Sequence, residues 1–526
     1  MWRSSLRLRG RRGTLAVRLR FLVMHGGVAS PNTLAADAGA RAYAEGGNAV
    51  DAGVSAALVS MLSEPGVCAL GAGGFVTLML PSGKALTIDG YAEMPGRGLP
   101  PDRFGGGGIQ ARVAYGGGTD MIVGPGSVAT PGAFAALERA VSEFGVLPWS
   151  VVLEPVTEIA RDGFPISPTS AHYLESAAEA VFGTDGNGGP FLNPGGRPIR
   201  AGEMVAIPEL ATTLEALGAE GVDLLYRGEL GAAISDYILE RGGILTRSDL
   251  SEYHAVVREP LKGDLRDWEI FANPGPAIGG AAFLSMFLLM GDLPTGRWTP
   301  SDAVALVRSQ EAVMTFRRSE LDGKADPPAH ELLRLAKGRK WAELAGSPST
   351  IQTSAVDETG TACSITMSAG YGSGVMPTGT GMWLNNSLGE LELNTSGYHG
   401  LPVGTRLTSN MAPTVARRAD GTTIALGSPG ADRISTALQI TLLGIINGDL
   451  PLQEAMDHPR LHVELLGDSR RIAVEPGMPV PDSEGEIRAF DSTDMFFGGP
   501  SAVLLTPDGR IQAAADHRRS GATAVV

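Results

Sequence analysis

From residue 26 to residue 80 the apolar positions recur first at helical and then at strand spacing. Ser30 and Pro31 open a helix that puts Leu34, Ala35 and Ala38 on one face, and Gly46, Gly47 and Asn48 end it. Residues 49–61 read as a second helix, rich enough in small side chains to imply close packing. Residues 72–80 form a strand, which Pro81, Ser82 and Gly83 turn into another over 85–88. The glycine-rich stretch 104–118 predicts a flexible loop. From about 133 to 348 the texture is mainly helical, with helix-period apolar positions over 134–144, 149–161, 207–217 and 230–241. Gly242 and Gly243 stop the last of these, and Thr246 with Asp249 and Leu250 marks a capped new start. Polar, proline-bearing residues 322–329 predict a surface linker.

Beyond residue 350 the pattern changes to short strands over 352–357, 362–368, 381–384, 413–417 and 422–426. A helix follows over 433–446, and segments 501–506 and 509–514 resemble a closing hairpin. Strands and helices in blocks, with little strict alternation, place the chain in the α+β class. The arrangement they fit is a four-layer αββα sandwich, with helices flanking two stacked antiparallel sheets.

The chain has 526 residues, 43% hydrophobic and 19% charged, as ordinary soluble domains do. Its 72 glycines and 35 prolines show no collagen-like period and indicate many tight turns. A formal charge of −15 argues against nucleic acid as a partner, because a phosphate backbone needs a basic surface. Cys68 and Cys363 are too few for a disulfide framework and sit in apolar surroundings, which predicts buried free thiols. The histidines are scattered, and His458 and His462 have no third ligand nearby, so no metal site is expected. Residues 1–23 differ from the rest, with seven arginines and no acidic residue. Arg18 and Arg20 break the only apolar run a secretory signal could use. Two readings remain, a disordered basic extension or untranslated sequence upstream of a start at Met24, and the second is favoured because the folded pattern begins there. No run of about 18 apolar residues exists, so no membrane span is expected and the cytoplasm is the default compartment.

Candidate chemistry concentrates around residue 350. Ser349, Thr350, Ile351 and Gln352 open an apolar run that ends in an Asp357–Gly360 turn, with Gly372-Ser373-Gly374 and Leu384-Asn385-Asn386 downstream. Other segments accompany it in order: Val28-Ala29-Ser30-Pro31, then Gly46-Gly47-Asn48-Ala49-Val50-Asp51-Ala52, then Glu64-Pro65 with Gly71-Ala72-Gly73-Gly74-Phe75. Pro131-Gly132, Ala160-Arg161-Asp162-Gly163-Phe164, Gly279-Gly280, Met411-Ala412-Pro413-Thr414 and Gly427-Ser428-Pro429-Gly430 continue the series. Each is weak alone. The ordered set, running from about residue 26 to the C-terminus, resembles the gamma-glutamyltranspeptidase family of N-terminal nucleophile hydrolases.

That resemblance implies a precursor that cuts its own Ser349–Thr350 bond. A large subunit, 24–349, and a small catalytic subunit, 350–526, would then pair as a heterodimer, with or without further pairing. The chemistry is sound on its own terms. A threonine hydroxyl is a poor nucleophile at neutral pH and needs an adjacent base. A chain-terminal threonine carries one, its own α-amine, and such amines ordinarily titrate at about 7.7–8.0. The resemblance further implies that Gly430 and Ala431 donate backbone N–H groups to the developing oxyanion. Alanine at the second position is compatible with that only if positive φ is not required there. Ser368 matches a hydroxyl residue beside the nucleophile's amine. No cofactor is called for, since nucleophile, base and donors are all protein groups.

The substrate-binding positions depart from the family. Relatives hold a glutamyl carboxylate with an arginine and two serines, and its ammonium with an acid and an amide. Here Ala92 stands at the arginine position, Ser409 and Asn410 at the serine pair, and Asn386, Ser387 and Glu390 at the amine side. Arg97 is close enough in sequence to compensate. The segment between Glu390 and Arg406 is short, implying reduced cover over the pocket. The expected activity is cleavage of γ-glutamyl amides such as glutathione through an acyl-enzyme, with water or an amine as acceptor. The alternatives are an amidohydrolase for a different acyl group and a catalytically silent binding homologue.

Overall fold

The strand Ile351–Asp357 alternates between two environments, and that alternation organises the molecule. Ile351 and Ala355 join an apolar core on one side, together with Cys363, Ile365 and Met367 of the next strand, Ala362–Ser368. Gln352, Ser354 and Val356, with Ala362, Ser364 and Thr366, face the other way, as the period of two demands. What they face is a second sheet. The computed structural model describes residues 23–114, 118–293, 298–321, 324, 327–337, 350–394, 396–466, 469–480 and 484–526, besides two-residue strands at Leu6–Arg7 and Ala16–Val17.

Thirteen strands build the two sheets, and we number them in chain order. They are β1 (Gly26–Ser30), β2 (Gly73–Met79), β3 (Ala85–Gly90), β4 (Val256–Arg258), β5 (Leu261–Leu265), β6 (Trp268–Ala272), β7 (Ile351–Asp357), β8 (Ala362–Ser368), β9 (Thr414–Arg418), β10 (Thr423–Gly427), β11 (Ser501–Leu505), β12 (Ile511–Ala515) and β13 (Ala522–Val525). The first sheet has the order β4-β3-β2-β8-β7-β1-β13 and the second β5-β6-β9-β10-β11-β12. Every ladder in both is antiparallel.

Helices α1 (Thr33–Ala44), α2 (Ala49–Ser63) and α3 (Ala133–Phe144) pack on the outer face of the first sheet. Helix α2 is buried over its whole length, which its alanines, glycine and serines make possible. Asn48 and Asp51 cap its N-terminus reciprocally, and the Asp357 carboxylate at the end of β7 accepts the Ala49 N–H at 3.0 Å. Helices α4 (Gly279–Met290), α5 (Pro300–Glu320) and α6 (Arg433–Ile446) cover the second sheet. Between the sheets lies a narrower core of Ala29, Met79, Val356, Val415, Ala425 and Val503. The architecture is therefore the four-layer αββα sandwich that the sequence predicts.

Several local expectations change. The glycine-rich stretch 104–118 carries a strand, Ile109–Val113, which pairs with Thr119–Val123; Gly105 and Gly107 ahead of it take positive φ. Residues 381–384 are not a strand; only Leu384 bridges, to Gly71. The mainly helical middle also supplies β4, β5 and β6. A further sheet not anticipated, Leu461–Leu466, Ser469–Val474 and Glu486–Ala489, flanks α5 and α6. Apart from Leu6–Arg7, Ala16–Val17 and Val23, residues 1–23, on which the two readings of the N-terminus fall, lie outside the described residues, as does half of the 322–329 linker. Among the described residues no helix is long and apolar enough to cross a membrane.

Candidate active site

Thr350 immediately precedes β7 and is 3% exposed. Ile351 pairs with Met367, so one step further along the ladder Thr350 stands opposite Ser368. The alternation that aims Gln352 and Thr366 between the sheets aims Thr350 and Ser368 there too, at one end of the sandwich. The Ser368 hydroxyl accepts the Gly370 N–H at 3.0 Å. Ser349 lies outside the described residues.

The layer behind Thr350 is polar. Gln352, fully buried, donates to Ser354 Oγ at 3.1 Å and Ser364 Oγ at 3.0 Å and accepts from Thr366 Oγ1 at 2.6 Å. Ser364 and Ser354 pass the network to the second sheet through the carbonyls of Leu426 (2.8 Å) and Ser501 (3.0 Å). These bonds fix the register of one sheet over the other. They bring β10 so near that a Cβ on Gly427 would lie 2.1 Å from Gln352 Oε1.

From Gly427 the chain runs through Ser428 and Pro429 into a turn with two consecutive positive φ values, +125° at Gly430 and +69° at Ala431. Asp432 then begins α6. The condition set for the alanine is thus not met: Ala431 does adopt the left-handed conformation, which costs an alanine about 1–2 kcal/mol. Among the described residues neither the Gly430 nor the Ala431 N–H is donated to a backbone carbonyl, and both lie at the positive end of the α6 dipole. Pro429, Gly499 and Thr350 line one recess. Glu64 and Arg519 also line it. Glu64 is fully buried and accepts from Asn32 (2.7 Å), Ser167 (2.6 Å) and Ser170 (2.9 Å). The recess thus joins Thr350 to Pro429, the residue that leads into the donor turn.

The remaining predicted residues cluster beyond Ser368. Glu390 is buried against Gly370, where a Cβ would meet its Cδ at 3.0 Å. Burial pushes its carboxyl well above the ordinary range, and the neighbouring Glu392 pushes it further. Glu390 Oε2 and Ser387 Oγ are buried and accept no hydrogen bond among the described residues. The Tyr91 hydroxyl lies beside Ser387, Ser409 and Glu390, with its ring stacked on Phe75 at 5.6 Å. Ser409 Oγ accepts the Met411 N–H at 3.1 Å, and the buried Asn410 follows it in the chain. Asn386 acts as a support. Its side chain accepts the Tyr371 N–H at 2.7 Å and donates to the Ile122 carbonyl at 3.3 Å, shaping the 369–371 turn. The short segment after Glu390 is tied to the 105–126 region through His399. His399 accepts the Gly105 N–H at 2.9 Å, donates to the Gly126 carbonyl at 2.7 Å and stacks on Tyr398.

Arg97 is not brought to this cluster. Its guanidinium is engaged by Asp249 at 3.2 Å, Glu93 at 3.4 Å and Glu252 at 2.9 Å. Ala92 is fully buried in an apolar wall with Phe75, Met94, Leu388, Leu407 and Met411. A second arginine, Arg406, is spent on Glu93 (3.1 Å), Asp89 (3.5 Å), the Tyr91 carbonyl (2.8 Å) and the Tyr253 hydroxyl.

Sequence reasoning missed Glu392. It accepts the Tyr371 hydroxyl at 3.0 Å and lies within reach of Asp432 and Arg433 at the start of α6. Burial pushes its carboxyl up to about 7. An acid two residues from Glu390 was the only signal available. The Asp432 carboxylate is held far below its usual range by Arg433 and His462, and His462 Nε2 approaches it at 3.4 Å. Cys68 and Cys363 are buried free thiols, the first pushed up to about 12 by burial.

Comparison with known proteins adds the following. The family model described as gamma-glutamyltranspeptidase matches residues 35–332 and 309–526. The acylase ACY 1 proenzyme of Pseudomonas sp. (strain V22) is 28% identical, over 94% of this chain and 92% of its own. The glutathione hydrolase proenzyme of Escherichia coli (strain K12) is 26% identical, over 94% and 90%. Among solved structures, the cephalosporin acylase from Bacillus halodurans shares the fold with a TM-score of 0.78 at 24% identity, over 98% of this chain and 97% of its own.

Proposed function

The chain belongs to the gamma-glutamyltranspeptidase family, and on that premise we propose that it is a self-processing amidohydrolase that uses Thr350 as nucleophile on an acyl group other than γ-glutamyl. In maturation Thr350 Oγ1 attacks the Ser349 carbonyl, the acyl group moves from nitrogen to oxygen, and water cleaves the ester. This leaves a free α-amine on Thr350. In turnover that amine takes the hydroxyl proton as Oγ1 attacks the substrate carbonyl. Gly430 and Ala431 N–H groups receive the oxyanion, the C–N bond breaks, and the proton leaves on the departing amine. Water then attacks the ester, its proton passing through the same amine, and the free acid departs.

The observation that supports the acyl assignment is that, among the described residues, the arginines near Ala92 are engaged elsewhere, whereas a glutamyl carboxylate would need one. Ala92 sits in an apolar wall, and Arg97 and Arg406 are each held by several carboxylates. A bidentate arginine contact is among the hardest to replace. Relatives named as an acylase and as a glutathione hydrolase match the chain to a similar degree, so the reading rests on the pocket. The γ-glutamyl reading keeps one support, the buried acid Glu390 on the amine side.

The test is release of p-nitroaniline from γ-glutamyl-p-nitroanilide, with and without glycylglycine. The protein is first checked by intact mass for fragments ending at Ser349 and beginning at Thr350, with Thr350→Ala as the uncleaved control. Cleaved protein with no turnover of this anilide supports the proposal. Rapid turnover restores the γ-glutamyl reading, and acceleration by the dipeptide adds transfer to an amine.

A further inference from the structure

The turn at Gly430 and Ala431 holds a conformation that its own sequence does not favour. Ala431 stays left-handed at φ +69°, and relaxing to the right-handed region would favour it by a factor of about 5–30 in population. A residue keeps such a conformation only where its surroundings over-determine it. The backbone supplies one restraint, the Arg433 N–H donated to the Gly430 carbonyl at 3.0 Å across Ala431 and Asp432. Side chains supply the rest. The Asp432 carboxylate pairs with Arg433 Nη1 on one side and meets His462 Nε2 at 3.4 Å on the other. Burial alone would raise this carboxyl, yet Arg433, His462 and the fully buried Arg317 hold it far below the ordinary range. His462, on the strand Leu461–Leu466, is 1% exposed, and its Nδ1 lies 3.3 Å from the Thr436 hydroxyl, one turn along α6. Arg433 is fixed as well, donating to the Phe496 carbonyl at 3.0 Å and lying over the Phe496 ring at 4.6 Å. The segment it grips runs on to Gly498, which abuts Gly430, and to Gly499, whose N–H is donated to Ser428 Oγ at 3.2 Å. Residues 428–433 are thus tied at both ends to 496–499, and Pro429 and Gly499 of these two segments line the recess with Thr350. Shifting Asp432 would part a buried carboxylate from its partners, which costs more than the strain at Ala431 returns.

We propose that Asp432 is a positioning residue for the reaction: its carboxylate, clamped between Arg433 and His462, keeps Ala431 left-handed and so aims the Gly430 and Ala431 N–H groups at the oxyanion. This rests on the amidohydrolase reading above and adds to it the device that holds its donors. With glycine at 431 the clamp has nothing to oppose, because glycine takes positive φ without cost. With alanine there, the aim of the donors depends on a buried charge cluster one residue away.

A double-mutant cycle tests this on the full, self-cleaved protein: wild type, Ala431→Gly, Asp432→Ala and the two changes together. Turnover is measured on whichever of γ-glutamyl-, glutaryl- and butyryl-p-nitroanilide the wild type hydrolyses fastest, and thermal unfolding shows that each variant is folded. Asp432→Ala alone should lower kcat about 5- to 30-fold, the population ratio that the clamp opposes. KM should move by less than about threefold, because the donors act on the transition state. With Ala431→Gly already present, Asp432→Ala should lower kcat by no more than about threefold. Equal losses in the two backgrounds would mean that Asp432 serves the fold in general and overturn the inference, as would no loss in either or a loss confined to KM. Where Asp432→Ala does not fold, Asp432→Asn, which keeps the shape and removes the charge, replaces it and should show coupling of the same sign. If the wild type turns over none of the three anilides, the reaction assigned above fails, and urea unfolding of the same four proteins decides the inference alone. The change in unfolding constant caused by Ala431→Gly should then be about 5- to 30-fold less favourable to the native state once Asp432→Ala has let the turn relax. The same response in both backgrounds refutes the clamp.

Discussion

Gly430→Ala is the sharpest test of the donor turn. At φ +125° an alanine there would place its Cβ 2.7 Å from Gly498 Cα and 3.2 Å from Gly498 N. Both contacts are backbone, and Gly498 cannot retreat freely. It has φ +85°, with Ser428 Oγ and the Pro429 carbonyl already within 3 Å of where its own Cβ would be. The backbone conformation costs about 1–3 kcal/mol for a non-glycine residue, and the overlap costs about 1–3 kcal/mol more. Relief can come only by moving the Gly430–Ala431 peptide, which shifts the N–H groups proposed to meet the oxyanion. Loss of one such donor lowers kcat by about 10²- to 10³-fold. Ala431→Gly is the matched control. It removes the strain of φ +69° but loses a buried methyl worth about 0.8 kcal/mol and loosens the unfolded chain by about 0.4–1 kcal/mol. Its net stability change is within about 1 kcal/mol, and its activity loss is at least tenfold smaller than that of Gly430→Ala. Thermal unfolding, intact mass for self-cleavage and p-nitroanilide turnover report all three effects. A Gly430→Ala protein as stable and as active as the parent would remove this turn from the mechanism.

Glu392 makes stability depend on pH with a definite sign. Its folded pKa of about 7 lies above the unfolded value, so the native state binds the extra proton. Stability is then full below the unfolded value and falls as pH rises from about 4.5 to about 7, by up to about 3 kcal/mol. Urea unfolding of wild type and Glu392→Gln across that window should show the fall flattened in the variant. Gln352→Leu leaves Thr366, Ser364 and Ser354 without their shared partner, and should destabilise by about 2–4 kcal/mol in the same assay. Both thiols should resist a disulfide reagent until denaturant is added, because each is buried and held as the neutral form.

What could be read from the sequence follows the range of the forces involved. Strand β8 and helix α6 were predicted at their observed bounds, because hydroxyl and apolar residues alternate cleanly in one and repeat at helix period in the other. The hairpin β5–β6 was missed. Lys262, Asp264 and Glu269 on its outer face interrupt the apolar pattern, and its turn is made by Arg266 at φ +52°, where no glycine signals it. Residues 381–384 look like a strand by composition, but Asn385 holds the segment down through the carbonyls of Gly71 and Ala129. The approach of Glu392 to α6 and the capture of Arg97 by Asp249 depend on chain segments far apart in sequence. No local pattern carries them.

The order of strands explains why cleavage at the proposed bond need not unfold the protein. In the first sheet β4, β3, β2 and β1 precede Thr350, whereas β8, β7 and β13 follow it. Their order interleaves them: β2 pairs with β8, β7 with β1, and β1 with β13. In the second sheet β6 of the first part pairs with β9 of the second. Four ladders therefore cross the division, and both cores around the sheets draw side chains from both parts. Separation would expose strand edges and apolar faces together, a cost far beyond that of freeing one new terminus. Because Thr350 stands at the end of an inner strand, an amine freed there by the proposed cleavage would remain beside the ladder and opposite Ser368. A tag on the C-terminal fragment should consequently retain the N-terminal one in native buffer and lose it only where thermal or guanidinium unfolding occurs. Dissociation in native buffer, with each fragment still folded by circular dichroism, would show that the two sheets are not the shared structure described here.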